Sequence, residues 1–163
     1  MTFLLDTNVV SELRKAKTNK INANVKAWAE SVAPMDLFLS AITLLELEMG
    51  IGLLERRDKP QAALLNRIGS LENLQKRDKP QAALLNTWFE YHVLPTFAER
   101  ILPVDTAVAL CCGRLHVPDP RAERDALIAS TALVHHKIVV TRNVDDFKPM
   151  NVKLLNPWEY AGF

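Results

Sequence analysis

Five short apolar runs rich in β-forming residues punctuate this chain, with helical stretches between them. The runs fall at 2–6, 37–40, 101–104, 138–141 and 152–155. Pieces such as FLL, LFL and IVV are continuously apolar, as strands are when both faces of their sheet are covered. Helical patterns occupy 9–16, 22–33, 43–56, the stretch running on through 97, then 106–115 and 125–136. Strands that alternate with helices predict an α/β fold around a central parallel sheet. A chain of 163 residues that is 48% hydrophobic can close one core without a disulfide or metal staple. The sequence therefore predicts a single domain over 1–163, with the Pro-rich segment 113–124 as a loop before the last long helix.

One piece of the pattern is written twice. RDKPQAALLN at 57–66 recurs unchanged at 77–86, a spacing of 20 residues. A single duplication is not a solenoid, which needs three or more units to bury a continuous core. It reads as a tandem-duplicated helical segment at about 57–86, placed in the helical arm between the second and third strands. Asp58 and Asp78 are candidate N-caps, with Pro60 and Pro80 in the first turn that follows. On that reading the prolines break the arm or fold it into a hairpin.

Charge and cysteine content narrow the chemistry. Twenty Lys+Arg stand against 19 Asp+Glu, a net charge of +1. For nucleic-acid binding, clustering matters more than the sum. Basic residues do cluster, at Arg14, Lys15, Lys17 and Lys20, at Arg56, Arg57 and Lys59, at Lys76, Arg77 and Lys79, and at Arg121 and Arg124. Cys111 and Cys112 are neighbours, and side chains one apart on a helix point in different directions, so they predict reduced, partly buried thiols. No apolar run reaches membrane-spanning length. The start, MTFLLDTNVV, meets an acid at Asp6 and lacks a basic leader. A cytoplasmic protein with no membrane partner is expected.

Acids stand at the ends of the strands, where open α/β sheets build their sites. Asp6 closes the first run, either as the cap of the next helix or left free for chemistry if Thr7 or Asn8 caps instead. Glu46 stands three residues past Thr43, the spacing of a capping box, and alternatively just beyond the second strand, level with Asp6. Asp125 opens a helix of apolar and small residues, a position that the helix dipole also favours. Asn143, Asp145 and Asp146 follow the fourth strand, and Asp105 in ILPVDTAVAL reads as a helix cap.

Several strand-end carboxylates in one sheet repel one another unless a cation lies between them. Oxygen-only donors point to Mg²⁺ or Mn²⁺ and away from Zn²⁺, and the four His and two Cys lack zinc spacing. GxxxxGK[ST], GxGxxG and GxSxG are all missing from the sequence.

The sequence resembles the VapC-type PIN-domain ribonuclease toxins of type II toxin–antitoxin modules, in particular their FitB-like branch. The matching pieces are LLDTNVVSEL at 4–13, LSAITLLELEMGI at 39–51, ILPVDTAVA at 101–109, LHVPDPRAERDALIASTAL at 115–133, VVTRNVDDF at 139–147 and LLNPWEY at 154–160. They occur in family order and cover nearly all of the chain outside the duplication.

The resemblance implies a three-layer α/β/α PIN-like fold with a parallel five-stranded sheet. It implies a Mg²⁺-dependent endoribonuclease and a homodimer. It also implies a cognate antitoxin of the VapB or FitA kind, through which alone DNA would be met. By position, Asp6, Glu46 and Asp125 match the three acids of the family motif. The fourth position, Asp or Asn, falls on Asn143, and Asp146 is the nearby acid of the DF pair.

In this reading Asp6 and Asp125 bind the metal directly, and Glu46 directly or through water. Thr7, Ser40 and Thr141 hold carboxylates or phosphate. Arg142 and Arg14 contact substrate phosphates. Two alternatives accompany it. One is a PIN domain that binds RNA or antitoxin without turnover. The other is a HAD-like phosphatase, disfavoured because Asn8 stands where that family needs its second acid.

Overall fold

The computed structural model describes residues 1–68 and 81–162. They gather into two compact units, Met1–Leu44 with Glu99–Phe163, and Leu45–Ala98. Among the described residues no helix is long and apolar enough to cross a membrane.

The first unit holds the sheet. Its strands are β1 (Phe3–Leu5), β2 (Leu37–Ser40), β3 (Ile101–Leu102), β4 (Ile138–Val140) and β5 (Leu154–Leu155). Every pairing is parallel, in the order β3-β2-β1-β4-β5. The five expected strands are all present; β2 keeps its expected bounds and the other four are one or two residues shorter, although Asp6 N–H and Thr141 N–H still donate to Val140 O and Leu155 O.

Helices cover both faces of the sheet, as the period of two in a strand requires. Phe3 packs edge-on against Trp28, with ring centroids 5.6 Å apart. Trp28 lies fully buried on α2 (Ala23–Ser31). The next residue, Leu4, points the other way, into a core with Val139, Cys112, Ile128, Ala129 and Ala132. In register, Leu4 pairs with Val139. The helical members of that core come from Thr106–Leu115 and Glu123–Val134. The layers are therefore α/β/α, and all three residues of β1 are buried.

Helix α1 (Thr7–Leu13) leaves β1 directly and ends in a basic 3₁₀ turn, Arg14–Lys17. Helix α3 spans Ala41–Ile68 and carries the chain from the first unit into the second. The second unit continues with α4 (Gln81–Trp88), a π-helical turn at Phe89–Val93 and α5 (Leu94–Phe97). The wide turn has a local cause. Pro95 has no N–H for an i→i−4 bond, and just before it Leu94 N–H reaches back to Phe89 O. Leu47, Ile51, Ala82, Phe89 and Val93 are the buried apolar residues described in this unit.

Helix α3 corrects one expectation. It runs unbroken through 57–66, so Pro60 lies inside it and Asp58 is no N-cap. An interior proline forfeits one backbone bond, and the good helix formers on either side, LLERR and QAALLNR, carry the helix across. The matching residues of the second copy, Asp78 and Pro80, lie outside the described residues.

The remaining helices belong to the first unit: α6 (Thr106–Leu115), α7 (Glu123–Val134) and α8 (Val144–Phe147). Cys111 and Cys112 are buried, unpaired thiols on α6. Asp105 caps α6 as the sequence suggests, its carboxylate accepting from Val108 N–H at 3.0 Å.

Candidate active site

The strand order fixes where a site can form. From β1 the chain steps outward through β2 to β3, then returns to place β4 on the other side of β1. Connections diverge between β1 and β4, and the crevice of a doubly wound sheet opens at the carboxyl ends of such a strand pair. The residues leaving these two strands are Asp6 and Thr141, and they bond to each other.

Asp6 is only 6% exposed. Its Oδ1 accepts from Thr7 N–H at 2.8 Å. Its Oδ2 accepts from Thr141 Oγ at 2.7 Å and from Asn8 Nδ2 at 3.3 Å. Among the described residues no basic side chain pairs with it. Burial pushes the Asp6 carboxyl above the usual carboxylate range, and the negative charge of Asp146 adds to that. The bonds from Thr141, Thr7 and Asn8 work in the opposite direction without cancelling it.

Asp6 also occupies the N-cap position of α1, so Thr7 and Asn8 do not release it from that place. Its bond to Thr7 N–H leaves Oδ2 turned to the β4 side.

Thr141 is fully buried, and its hydroxyl is saturated. It donates to Asp6 and accepts from Asn8 Nδ2 at 3.3 Å and from Asn143 N–H at 3.0 Å. One oxygen thus ties the end of β1, the start of α1 and the turn after β4. Asn143 is exposed and precedes α8 without a side-chain capping bond. Asp146, also exposed, sits on α8 close enough for its charge to bear on Asp6. Asp145 is exposed and pairs with Lys148 at 2.7 Å.

The other residues fall out as follows. Asp125 lies half-buried in the first turn of α7, two residues later in the helix than the sequence pattern suggests, because the helix begins at Glu123. Glu46 is half-buried in the second turn of α3 and belongs to the second unit. The capping-box alternative for Glu46 does not hold. Helix α3 starts at Ala41, Thr43 is already inside it, and the Thr43 hydroxyl donates to Leu5 O at 3.3 Å. Ser40 does the capping instead, its Oγ accepting from Ile42 N–H at 3.1 Å. Arg14 is exposed at the end of α1, and Arg142 is exposed just after Thr141.

Asn8, which the sequence suggests only as a possible helix cap, takes part in the site. Besides its bonds to Asp6 and Thr141, its Oδ1 accepts from Arg142 N–H at 3.3 Å. The signal was available, as an amide two residues after a strand-end acid in LLDTN.

In kind, these donors fit a hard divalent cation. They are carboxylate and amide oxygens, and a buried carboxylate with a second acid nearby favours a positive counter-charge. Among the described residues no three His, Cys, Asp or Glu side chains stand together as a ready-made metal group.

Comparison with known proteins bears on the whole arrangement. Residues 3–152 match the PIN domain family. The chain is 35% identical over 160 residues to Toxin FitB of Neisseria gonorrhoeae, covering 95% of this chain and 97% of that one. It is 31% identical over 163 residues to the VapC ribonuclease Y4jK of Sinorhizobium fredii, covering 97% and 99%. In three dimensions it is similar to the crystal structure of FitAcB from Neisseria gonorrhoeae, with TM-score 0.74, 32% identity and coverage of 97% and 99%. It is equally similar to FitAB bound to a DNA fragment, with TM-score 0.75, 31% identity and coverage of 99% of each chain. These matches set the HAD-like alternative aside. A strand-end Asp6 locked to Thr141 at the switch point, in a five-stranded parallel sheet that matches such relatives over almost its full length, places this chain in the PIN-domain family, on its FitB and VapC toxin branch.

Proposed function

We propose that the chain is a Mg²⁺-dependent endoribonuclease and the toxin of a type II toxin–antitoxin pair, acting in the cytoplasm. One observation carries this reading: a buried, hydrogen-bonded Asp6 with no basic partner among the described residues, set between the ends of β1 and β4. The relatives named toxin and ribonuclease support it. We read the whole chain as one PIN domain with the duplicated segment in its helical arm.

Asp6, Asp125 and Glu46 would hold Mg²⁺ or Mn²⁺, with Asn143 and Asp146 at the edge of the site. When bound, the cation supplies Lewis-acid polarisation of the phosphodiester and lowers the pKa of the attacking water. Thr141 and Asn8 keep Oδ2 of Asp6 in place, so that little reorganisation is needed when substrate arrives. Arg142 and Arg14 supply positive charge for the RNA backbone. In-line attack by water on phosphorus breaks the bond to the 3′ oxygen, leaving a 5′-phosphate and a 3′-hydroxyl. A homodimer would bring two such sites to a shared basic groove, which reconciles RNA binding with a net charge of +1. The partner is a cognate antitoxin of the VapB or FitA kind, and DNA is met through it.

The test is cleavage of structured RNA by the purified protein freed of antitoxin. Cleavage should require Mg²⁺ and stop with EDTA. Asp6→Asn and Asp125→Asn should each reduce it by more than about 100-fold, since several kcal/mol of charge stabilisation are at stake. Cleavage that survives in both variants, or in EDTA, rejects the assignment.

A further inference from the structure

The NPW motif at 156–158 is tightly held. Trp158 is held on both sides of its backbone. Its N–H donates to Asn156 Oδ1 at 3.0 Å, and its carbonyl accepts from Asn24 Nδ2 at 2.6 Å. Pro157, beside it, is buried. The indole is therefore a fixed, half-exposed platform.

The Arg142 guanidinium lies over that ring, 5.2 Å from its centroid. The other end of Arg142 is fixed as well, because its backbone N–H donates to Asn8 Oδ1, and Asn8 donates to Asp6 Oδ2. Among the described residues the guanidinium forms no hydrogen bond and no ion pair. Glu12 is near enough to sense its charge, but the Glu12 carboxylate holds Lys15 Nζ at 2.9 Å and Asn22 N–H at 2.8 Å instead. An exposed guanidinium resting on an aromatic face keeps its N–H donors at its rim. That planar fork matches two oxygens of a phosphate, and pre-ordering it reduces the entropy lost on binding.

We propose that Trp158 is a positioning residue that presents Arg142 as a preorganised contact for an RNA backbone phosphate beside the Asp6 pocket. This rests on the ribonuclease reading above. Arg142 carries the contact, and Trp158 acts through it.

Binding is measured apart from cleavage in Asp6→Asn protein, by fluorescence anisotropy of a fluorescein-labelled, mixed-sequence single-stranded RNA oligonucleotide over a range of salt. Arg142→Gln should weaken binding roughly tenfold, the order of one charge-assisted hydrogen bond. It should also lower the slope of log K against log salt by about 0.7, the value for one phosphate on a single strand. Trp158→Ala should weaken binding about two- to fivefold. Trp158→Phe should recover most of that loss, which separates a stacking role from a folding defect. Once Arg142 is Gln, Trp158→Ala should change nothing more. With Asp6 intact, Trp158→Ala should raise KM and leave kcat near the parent value. If Trp158→Ala binds as tightly as the parent, or its effect adds fully to that of Arg142→Gln, the inference fails while the ribonuclease reading stands. If the parent binds no RNA and the wild type cleaves none, both fall.

Discussion

At Asp6, function and stability pull in opposite directions. The group's folded pKa is raised, chiefly by burial. The folded state therefore holds the proton more tightly than the unfolded chain does. Stability from this site is greatest below the unfolded value of about 3.9 and is lost as pH rises through the folded value. At neutral pH the buried charge is a liability. Asp6→Asn should thus melt at or above the wild-type temperature without metal, while losing cleavage. Mg²⁺ should raise the wild-type Tm, because a ligand bound only by the folded state stabilises it, and should leave Asp6→Asn unmoved. A thermal melt of both proteins with and without Mg²⁺ checks this, and equal Mg²⁺ shifts would remove Asp6 from the metal set. Thr141 tests the support of the same carboxylate. Thr141→Val removes a bond that lowers the Asp6 pKa and strips Asn143 N–H of its acceptor. Cleavage should fall about 10- to 100-fold, as for other groups that orient metal ligands, and the acid limb of the pH–rate profile should move to higher pH. Thr141→Ser, which keeps the hydroxyl, should retain most activity.

At the scale of elements, Glu12 shows how α1 is fastened to α2. It accepts from Asn22 N–H, the N-cap residue of α2, and from Lys15 in the 3₁₀ turn between the two helices. Burial opposes its charge, but the bonds from Lys15 and Asn22 prevail and hold its carboxyl below the usual range. A lowered acid pKa stabilises the fold above the unfolded value of about 4.3 and is lost as pH falls through the folded value. Glu12→Gln should therefore cost less than about 1 kcal/mol at neutral pH and flatten the decline of Tm below about pH 4.3. Chemical or thermal melts across that window measure it, and an unchanged acid slope would show that the tie contributes nothing. Elements were also where the sequence was most legible. Strand runs, the Asp105 cap and the strand-end position of Asp6 each follow from a few adjacent residues. What depends on competition between neighbours was harder to read. Ser40 rather than Thr43 starts α3, because a serine just ahead of Ala41 can bond Ile42 N–H and the hydroxyl of Thr43 finds a strand carbonyl. Pro60 does not break that helix, because propensity summed over its flanks outweighs one lost bond. Contacts between residues far apart in the chain, such as Asn8 with Thr141 or Arg142 with Trp158, leave no local signature at all.

For the molecule as a whole, the open question is what the second copy of RDKPQAALLN does. The described core of the first unit lies entirely outside the repeat. In the second unit, Leu47 and Ile51 precede the repeat, and Ala82, Phe89 and Val93 lie in its second copy or beyond. Removing residues 57–76 would leave all five buried positions and one full copy of the repeat, 77–86. It would also leave Asp6, Glu46, Asp125, Asn143 and Asp146 untouched. Extra chain length in a connecting arm has a weak thermodynamic effect, since doubling a loop costs about 0.6 kcal/mol. Joining Arg56 to Arg77 would restore the same local sequence, with Pro80 where Pro60 now stands, so the deletion leaves one proline at that point of the arm. The shortened chain should therefore fold, melt near the parent temperature, and cleave RNA with the same Mg²⁺ dependence. Circular dichroism melts and a cleavage assay on the deletion protein decide the matter. A deletion that unfolds the chain, or that folds but loses cleavage, would show that the duplicated segment has become part of the working domain.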